Sequence, residues 1–138
     1  MKESIEFIPH HTGLSVPNLE ESIKWYQDIL GFTVEKRMDM PFLHAKIAFM
    51  KYGDFRIEIF EVEGAKPLPD ERRYPQKDLT THGWKHLSLG VKDVKKTMEI
   101  LKERGADIAL EGEVNGEAMG FVRDNAGNLV ELNKIGFI

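Results

Sequence analysis

The chain has 138 residues, 41% hydrophobic and 30% charged, with a formal net charge of −4 and no cysteine. That length and balance fit one globular unit with a real core. They exclude disulfides, thiolate metal sites and cysteine nucleophiles, and they weigh against a nucleic-acid partner, which a basic face would announce.

Phe7 to Val16 reads as a strand, broken by Pro17-Asn18. Leu19, Ile23, Tyr26 and Leu30 then recur at helical spacing. Asn18 is the predicted N-cap, Glu20 and Glu21 suit the positive end of the helix dipole, and Gly31 is the stop. Phe32–Met38, Leu43–Lys51 and Phe55–Val62 read as three strands, separated by turns at Met40-Pro41 and Tyr52-Gly53-Asp54. A polar, proline-bearing stretch from Glu63 to Gly83 follows, long enough to be a functional loop or a linker. The order then repeats. Lys85–Val91 is a strand, and Asp93 or Lys92 opens a helix that puts Val94, Met98 and Leu101 on one face before Gly105. Asp107–Leu110, Glu117–Arg123 and Asn128–Lys134 are strands, the last two joined by Asn125-Ala126-Gly127. The chain therefore reads as one α+β unit, 1–138, made of a first βαβββ module (7–62), a linker loop (63–83) and a second βαβββ module (84–135).

The halves overlay residue by residue. His11-Thr-Gly-Leu-Ser-Val lies over His86-Leu-Ser-Leu-Gly-Val, 75 positions on. Arg56-Ile-Glu-Ile-Phe lies over Leu129-Val-Glu-Leu-Asn, where Glu58 and Glu131 are 73 positions apart. Because side chains alternate across a strand, His11, Gly13 and Ser15 share one face while Leu14 and Val16 pack on the helix. His86, Ser88 and Gly90 do the same in the copy. Each glutamate is central in a short apolar strand, where an unpartnered carboxylate would be costly. A lone strand glutamate is ordinarily solvated; two, each matched to a histidine in an equivalent strand, point to a metal site built from His11, Glu58, His86 and Glu131. Imidazole and carboxylate donors suit a divalent ion such as Ni, Zn, Co, Mn or Fe rather than Ca. In octahedral coordination two positions stay open for neighbouring oxygens of one substrate, with the ion stabilising an enolate and a glutamate acting as base.

The pieces His11-Thr-Gly-Leu-Ser-Val-Pro-Asn-Leu-Glu, Trp25-Tyr26, Leu30-Gly31-Phe32, Ile57-Glu58-Ile59-Phe60, the strand from His86 to Val91-Lys92-Asp93-Val94, and Phe121-Val-Arg-Asp-Asn-Ala-Gly-Asn-Leu-Val-Glu131 together resemble the vicinal oxygen chelate superfamily. That superfamily includes glyoxalase I, methylmalonyl-CoA epimerase, extradiol dioxygenases and the fosfomycin and bleomycin resistance proteins. The resemblance implies paired βαβββ modules whose curved mixed sheets enclose a metal, with His11, Glu58, His86 and Glu131 at the four ligand positions. The His/Glu/His/Glu set is similar to bacterial glyoxalase I and implies Glu131 as the catalytic base. It further implies a lyase or isomerase that shifts an α-proton of a small-molecule substrate through an enediolate, in a homodimer. The rival readings are an Fe(II) dioxygenase, against which four protein ligands count, and a non-catalytic resistance-type binding protein, against which the intact quartet counts. Ser15 stands where glutathione-dependent bacterial relatives carry an arginine, and the 63–83 loop is longer than theirs; both features weigh against glutathione.

Other residues carry weaker signals. His10 is predicted at the helix face or edge. His44 is expected inside the third strand, facing as Lys46 does, and His82 in the loop before the second module. Arg72, Arg73 and Lys77 could hold an anion but read first as a solvated loop. Phe60, Trp84 and Met119 read first as core, and Gly112–Gly120 as a flexible candidate lid. No run reaches the ~18 apolar residues of a membrane span, and the charged Met1–Glu6 stretch is unlike a secretory signal, so a cytoplasmic setting without membrane partners is the expectation.

Overall fold

The computed structural model describes residues 2–138; Met1, the first residue of the 1–138 unit, lies outside them. Two four-stranded mixed sheets carry the two halves. In the first half the elements are β1 (Thr12–Ser15), α1 (Leu19–Asp28), β2 (Thr33–Met40), β3 (Ala45–Tyr52) and β4 (Phe55–Val62). They form a sheet of order β1-β4-β3-β2, in which β1 runs parallel to β4 and the other pairs are antiparallel. A short helix, α2 (Pro75–Asp78), sits in the connecting segment. The second half supplies β5 (Leu87–Val91), α3 (Val94–Glu103), β6 (Asp107–Val114), β7 (Glu117–Arg123) and β8 (Leu129–Lys134), in the equivalent order β5-β8-β7-β6. The predicted α+β repeat of two βαβββ modules is the observed architecture.

Each helix starts where its capping chemistry predicts. Asn18 Oδ1 accepts from the Glu21 N–H at 3.0 Å, and Asp93 Oδ1 accepts from the Lys96 N–H at 3.0 Å. Leu19, Ile23 and Tyr26 of α1 pack on Met50, Ile57 and Ile59, while Val94, Met98 and Leu101 of α3 pack on Val122, Val130 and Leu132. The halves meet on their helix sides. Ile29 belongs to the second core, and Trp25 and Leu30 pack against both. Three polar links cross the seam: Tyr26 Oη donates to Asp124 Oδ2 at 2.9 Å, Ser22 Oγ to Asn125 Oδ1 at 3.1 Å, and Arg104 Nη1 to the Ile29 carbonyl at 2.7 Å. This packing turns the other face of each sheet outward, and Gly13, Ser15, Ser88 and Gly90 on those faces are exposed.

Several boundaries differ from the sequence reading. Residues 7–11 have no regular structure, and β1 begins only at Thr12. Pro9 lacks the N–H a ladder needs. His44 is outside β3: it closes a 3₁₀ turn (Pro41–Leu43) in the left-handed conformation, φ 48°. β6 runs on to Val114, because an edge strand tolerates Glu111 and Glu113 in water. Gly112–Gly120 is consequently a regular β6–β7 hairpin, turned at Asn115-Gly116, rather than a lid. The 63–83 loop contains a 3₁₀ turn (Asp70–Arg73) followed by α2. Trp84, expected in the core, is 97% exposed, since no element of the chain covers the residues just before β5.

Candidate metal centre

Glu58 projects from β4 onto the outward face, while Ile57 and Ile59 on either side are fully buried under α1. His11 reaches it from just before β1, with Nε2 2.8 Å from Glu58 Oε2. The two side chains are 32% and 16% exposed, so the pair is partly open to water. Phe49, opposite Glu58 in the β3–β4 register, packs edge-on to the His11 ring at 5.4 Å. His10 is adjacent, with Nδ1 2.6 Å from His11 Nδ1.

The second half repeats this arrangement. Glu131 lies between buried Val130 and Leu132 on β8, and His86 Nε2 stands 3.6 Å from Glu131 Oε2. Phe121, opposite Glu131 in the β7–β8 register, packs edge-on to His86 at 4.9 Å. Gly13 and Ser88 are equivalent neighbours, since Gly13 pairs with Glu58 and Ser88 with Glu131. The sequence overlay is thus reproduced in register, contacts and exposed face.

The halves differ in what else holds the carboxylate. Ser88 Oγ donates to Glu131 Oε1 at 3.1 Å, Asn133 Nδ2 donates to the same oxygen, and Asn133 Nδ2 also reaches Ser88 Oγ at 2.9 Å. Glu58 has neither donor: the residue in the position of Asn133 is Phe60, paired with Ser15 as Asn133 is with Gly90. Ser88 and Asn133 were not singled out as partners of Glu131, although their signal is present as the i, i+2 step from a glutamate and the matching position of its neighbour strand.

The four predicted ligands form two pairs, one per sheet. No group of three or more His, Asp or Glu suited to a metal gathers within one chain among the described residues. His44 and His82 join neither pair; His44 stands 4.0 Å from Glu63, and both are well exposed. The loop cations have local partners. Arg72 Nε lies 2.5 Å from Asp78 Oδ1, which is 1% exposed and also 3.2 Å from Lys85 Nζ. Lys77 sits over the Tyr74 ring at 4.6 Å. Arg73 has no carboxylate partner among the described residues.

One His–Glu pair stands on the open face of each of the two βαβββ sheets. The profile of the Glyoxalase/Bleomycin resistance protein/Dioxygenase superfamily matches residues 8–132. A lactoylglutathione lyase of Haemophilus influenzae is 32% identical over 128 residues, spanning 88% of each chain. The trypanothione-dependent glyoxalase I of Leishmania major superposes with a TM-score of 0.73 at 26% identity, covering 94% of this chain and 87% of that one. A glyoxalase-family protein of Enterococcus faecalis shares the fold, with a TM-score of 0.78 at 24% identity over 92% and 97% of the two chains. The chain belongs to the glyoxalase/bleomycin resistance protein/dioxygenase superfamily, and its relatives support a glyoxalase-family lyase. None of its helices is long and apolar enough to cross a membrane, among the described residues.

Proposed function

We propose that the protein is a divalent-metal-dependent lyase or isomerase that shifts an α-proton in a small α-hydroxycarbonyl substrate, such as the adduct of a ketoaldehyde and a thiol. His11, Glu58, His86 and Glu131 are the proposed ligands, and Glu131 is the base. The observation that carries this reading is the repetition of one His–Glu pair, in one register and on one kind of face, in both halves. Two imidazole nitrogens and two carboxylates, with no cysteine in the chain, fit nickel, zinc, cobalt, manganese or iron. When bound, the ion supplies Lewis-acid polarisation of two neighbouring substrate oxygens.

The chain's own residues do the rest. Glu131 takes the proton from the carbon beside the carbonyl, and the electron pair of the broken C–H bond moves into an enediolate. The same carboxyl group returns the proton to the neighbouring carbon, so the reaction is a redox-neutral isomerisation of the substrate. Ser88 and Asn133, both on Oε1, fix the carboxylate plane and leave Oε2 on the His86 side. Phe49 and Phe121 wall the imidazoles and limit the directions from which water enters.

The two halves meet on the sides of their sheets that carry the helices, so each open face within a chain lacks the other as a lid. We therefore infer a homodimer in which the first-module face of one chain meets the second-module face of the other. The exposed apolar side chains Ile5, Phe7, Ile8 and Trp84, immediately before the two histidine positions, support burial there against a second copy.

The test is elemental analysis of protein purified without a histidine tag, beside Glu131→Gln and His86→Ala. Near-stoichiometric divalent metal that falls in the variants, with solvent-deuterium incorporation into product that only the native protein catalyses, is the expected result. Absence of metal binding when Ni²⁺, Zn²⁺, Mn²⁺ or Fe²⁺ is supplied overturns the reading.

A further inference from the structure

A cavity of about 570 Å³ opens at the end of the first sheet, between the C-terminal ends of β1 and β4, the start of the 63–83 segment and the β7–β8 turn. Three cations line it, Lys46, Lys66 and Arg73, against two carboxylates, Glu61 and Glu63. Glu61 is engaged as a helix cap, and Glu63 lies largely in solvent. Glu61 Oε1 accepts the Leu19 N–H at 2.8 Å and so caps α1, and Glu63 faces His44 at 4.0 Å. None of the three cations has an ion-pair partner among the described residues. In a chain of net charge −4 this is a local reversal of sign.

Arg73 is the fixed member. Its carbonyl accepts from Arg123 Nε at 2.7 Å. Its guanidinium lies over Gly127, where any Cβ would collide with it. Gly127 has φ +90°, so glycine there both permits the turn and leaves room for the arginine. A half-buried arginine held at its backbone, with its fork unpaired, matches the planar two-oxygen geometry of a carboxylate or phosphate.

We propose that this cavity is an oxyanion-binding pocket, with Arg73 as the bidentate anchor and Lys46 and Lys66 as supporting charges. Ser15 lines it too, four residues along the extended chain from His11, which is roughly 13 Å. An anionic group carried by the substrate at that remove from its reacting carbon is one source of the oxyanion, and a free phosphate is the other; only this choice of source rests on the lyase reading above.

The experiment is a titration of the full, metal-free chain with inorganic phosphate and, separately, succinate, followed by ¹H–¹⁵N NMR. Saturable shifts at the Ser15, Gly64 and Ala126 amides are expected. Arg73→Gln should weaken binding at least about tenfold, the loss expected for a charge-assisted pair. Lys66→Met, on the exposed segment, should weaken it less while leaving the fold intact, and so guards against a misfolded Arg73 variant. Absence of saturable binding, or equal binding in both variants, overturns the pocket. Because no metal is present, that failure leaves the lyase reading standing, just as failure to bind metal would leave the pocket standing. With metal restored, Arg73→Gln raising KM for the methylglyoxal adduct of glutathione but not for that of neutral 2-mercaptoethanol assigns the anion to the substrate; equal KM values assign it to free phosphate.

Discussion

Tyr26→Phe removes one hydroxyl and should cost about 2 kcal/mol at pH 7, the value of a buried hydrogen bond to a charged acceptor. Tyr26 is 2% and Asp124 4% exposed. Asp124 collects the Ala126 and Asn128 N–H groups, each at 2.9 Å, as well as Asn128 Nδ2 and the Tyr26 hydroxyl. Burial is the largest influence on Asp124 and raises its pKa above the ordinary carboxylate value of 3.8, with these donors pulling the other way. Burial, followed by the Asp124 charge, also holds the Tyr26 phenol well above 10.0. Both folded pKa values lie above the unfolded ones, so each group's stabilisation is complete below its unfolded value and is lost as pH rises through its folded value. For Asp124 that window opens just above pH 3.8, and for Tyr26 above pH 10.0. Tyr26→Phe removes a donor that favours the ionised carboxylate, so Asp124 should shift further upward. The destabilisation should therefore be smaller at pH 4 than at pH 7. Urea unfolding at the two pH values measures both quantities, and about 2 kcal/mol corresponds to a Tm fall of roughly 8 °C for a chain of this size. A loss below about 0.5 kcal/mol at pH 7, or a loss independent of pH, would refute the account of the seam.

Gly120→Ala places a Cβ 2.5 Å from Met98 Sδ. Because methionine is flexible, the cost should be about 1–2 kcal/mol by thermal melt, at the lower end of overpacking. Asp78→Asn should free the 63–83 segment, because Arg72 and Lys85 lose the charge that anchors them; trypsin should then cut after Arg72 or Arg73 faster than in the native chain, with little change in global Tm. Co-refolding His11→Ala with His86→Ala gives a sharp test of the dimer. Half the dimers are then mixed, each with one doubly altered and one intact site, so about a quarter of native metal and activity should return, whereas a site within one chain predicts none.

The fold was legible because its signals are local and duplicated. Asn18 and Asp93 cap, Gly31 and Gly105 adopt φ of 77° and 87° past the helix ends, and the apolar faces of α1 and α3 follow from spacing alone. The boundaries that moved are those set by tertiary partners. Whether Glu111–Val114 extends depends on β7 offering its ladder, and His44 leaves β3 because Pro41 starts a tight turn before the strand pairs. The two His–Glu pairs were legible from alternation within strands. Their separation onto two sheets was not, because strand periodicity fixes which face a side chain takes and says nothing of which two faces meet. Trp84 shows the same gap: an apolar side chain argues for burial, and its chain offers nothing to bury it.

The inequality between the halves bears directly on the proposed chemistry. A repeat under no further demand would keep the same neighbours around both glutamates. Instead Gly13 and Phe60 surround Glu58 where Ser88 and Asn133 surround Glu131. A Cβ at Gly13 would meet the Phe60 ring at 3.6 Å, so small residue and aromatic ring fit one another and leave Glu58 an apolar side, with His11 as its one polar side-chain partner among the described residues. Glu131 has two donors on one oxygen and an imidazole by the other, an arrangement that would hold its carboxylate plane through the proton uptake and return proposed above. Orientation of a base is worth more to catalysis than mere presence, since misplacement by about 1 Å can cost a hundredfold in rate. Ser88→Ala and Asn133→Leu would remove that control while leaving the four proposed ligands in place, which separates the positioning of Glu131 from its proposed part in holding metal.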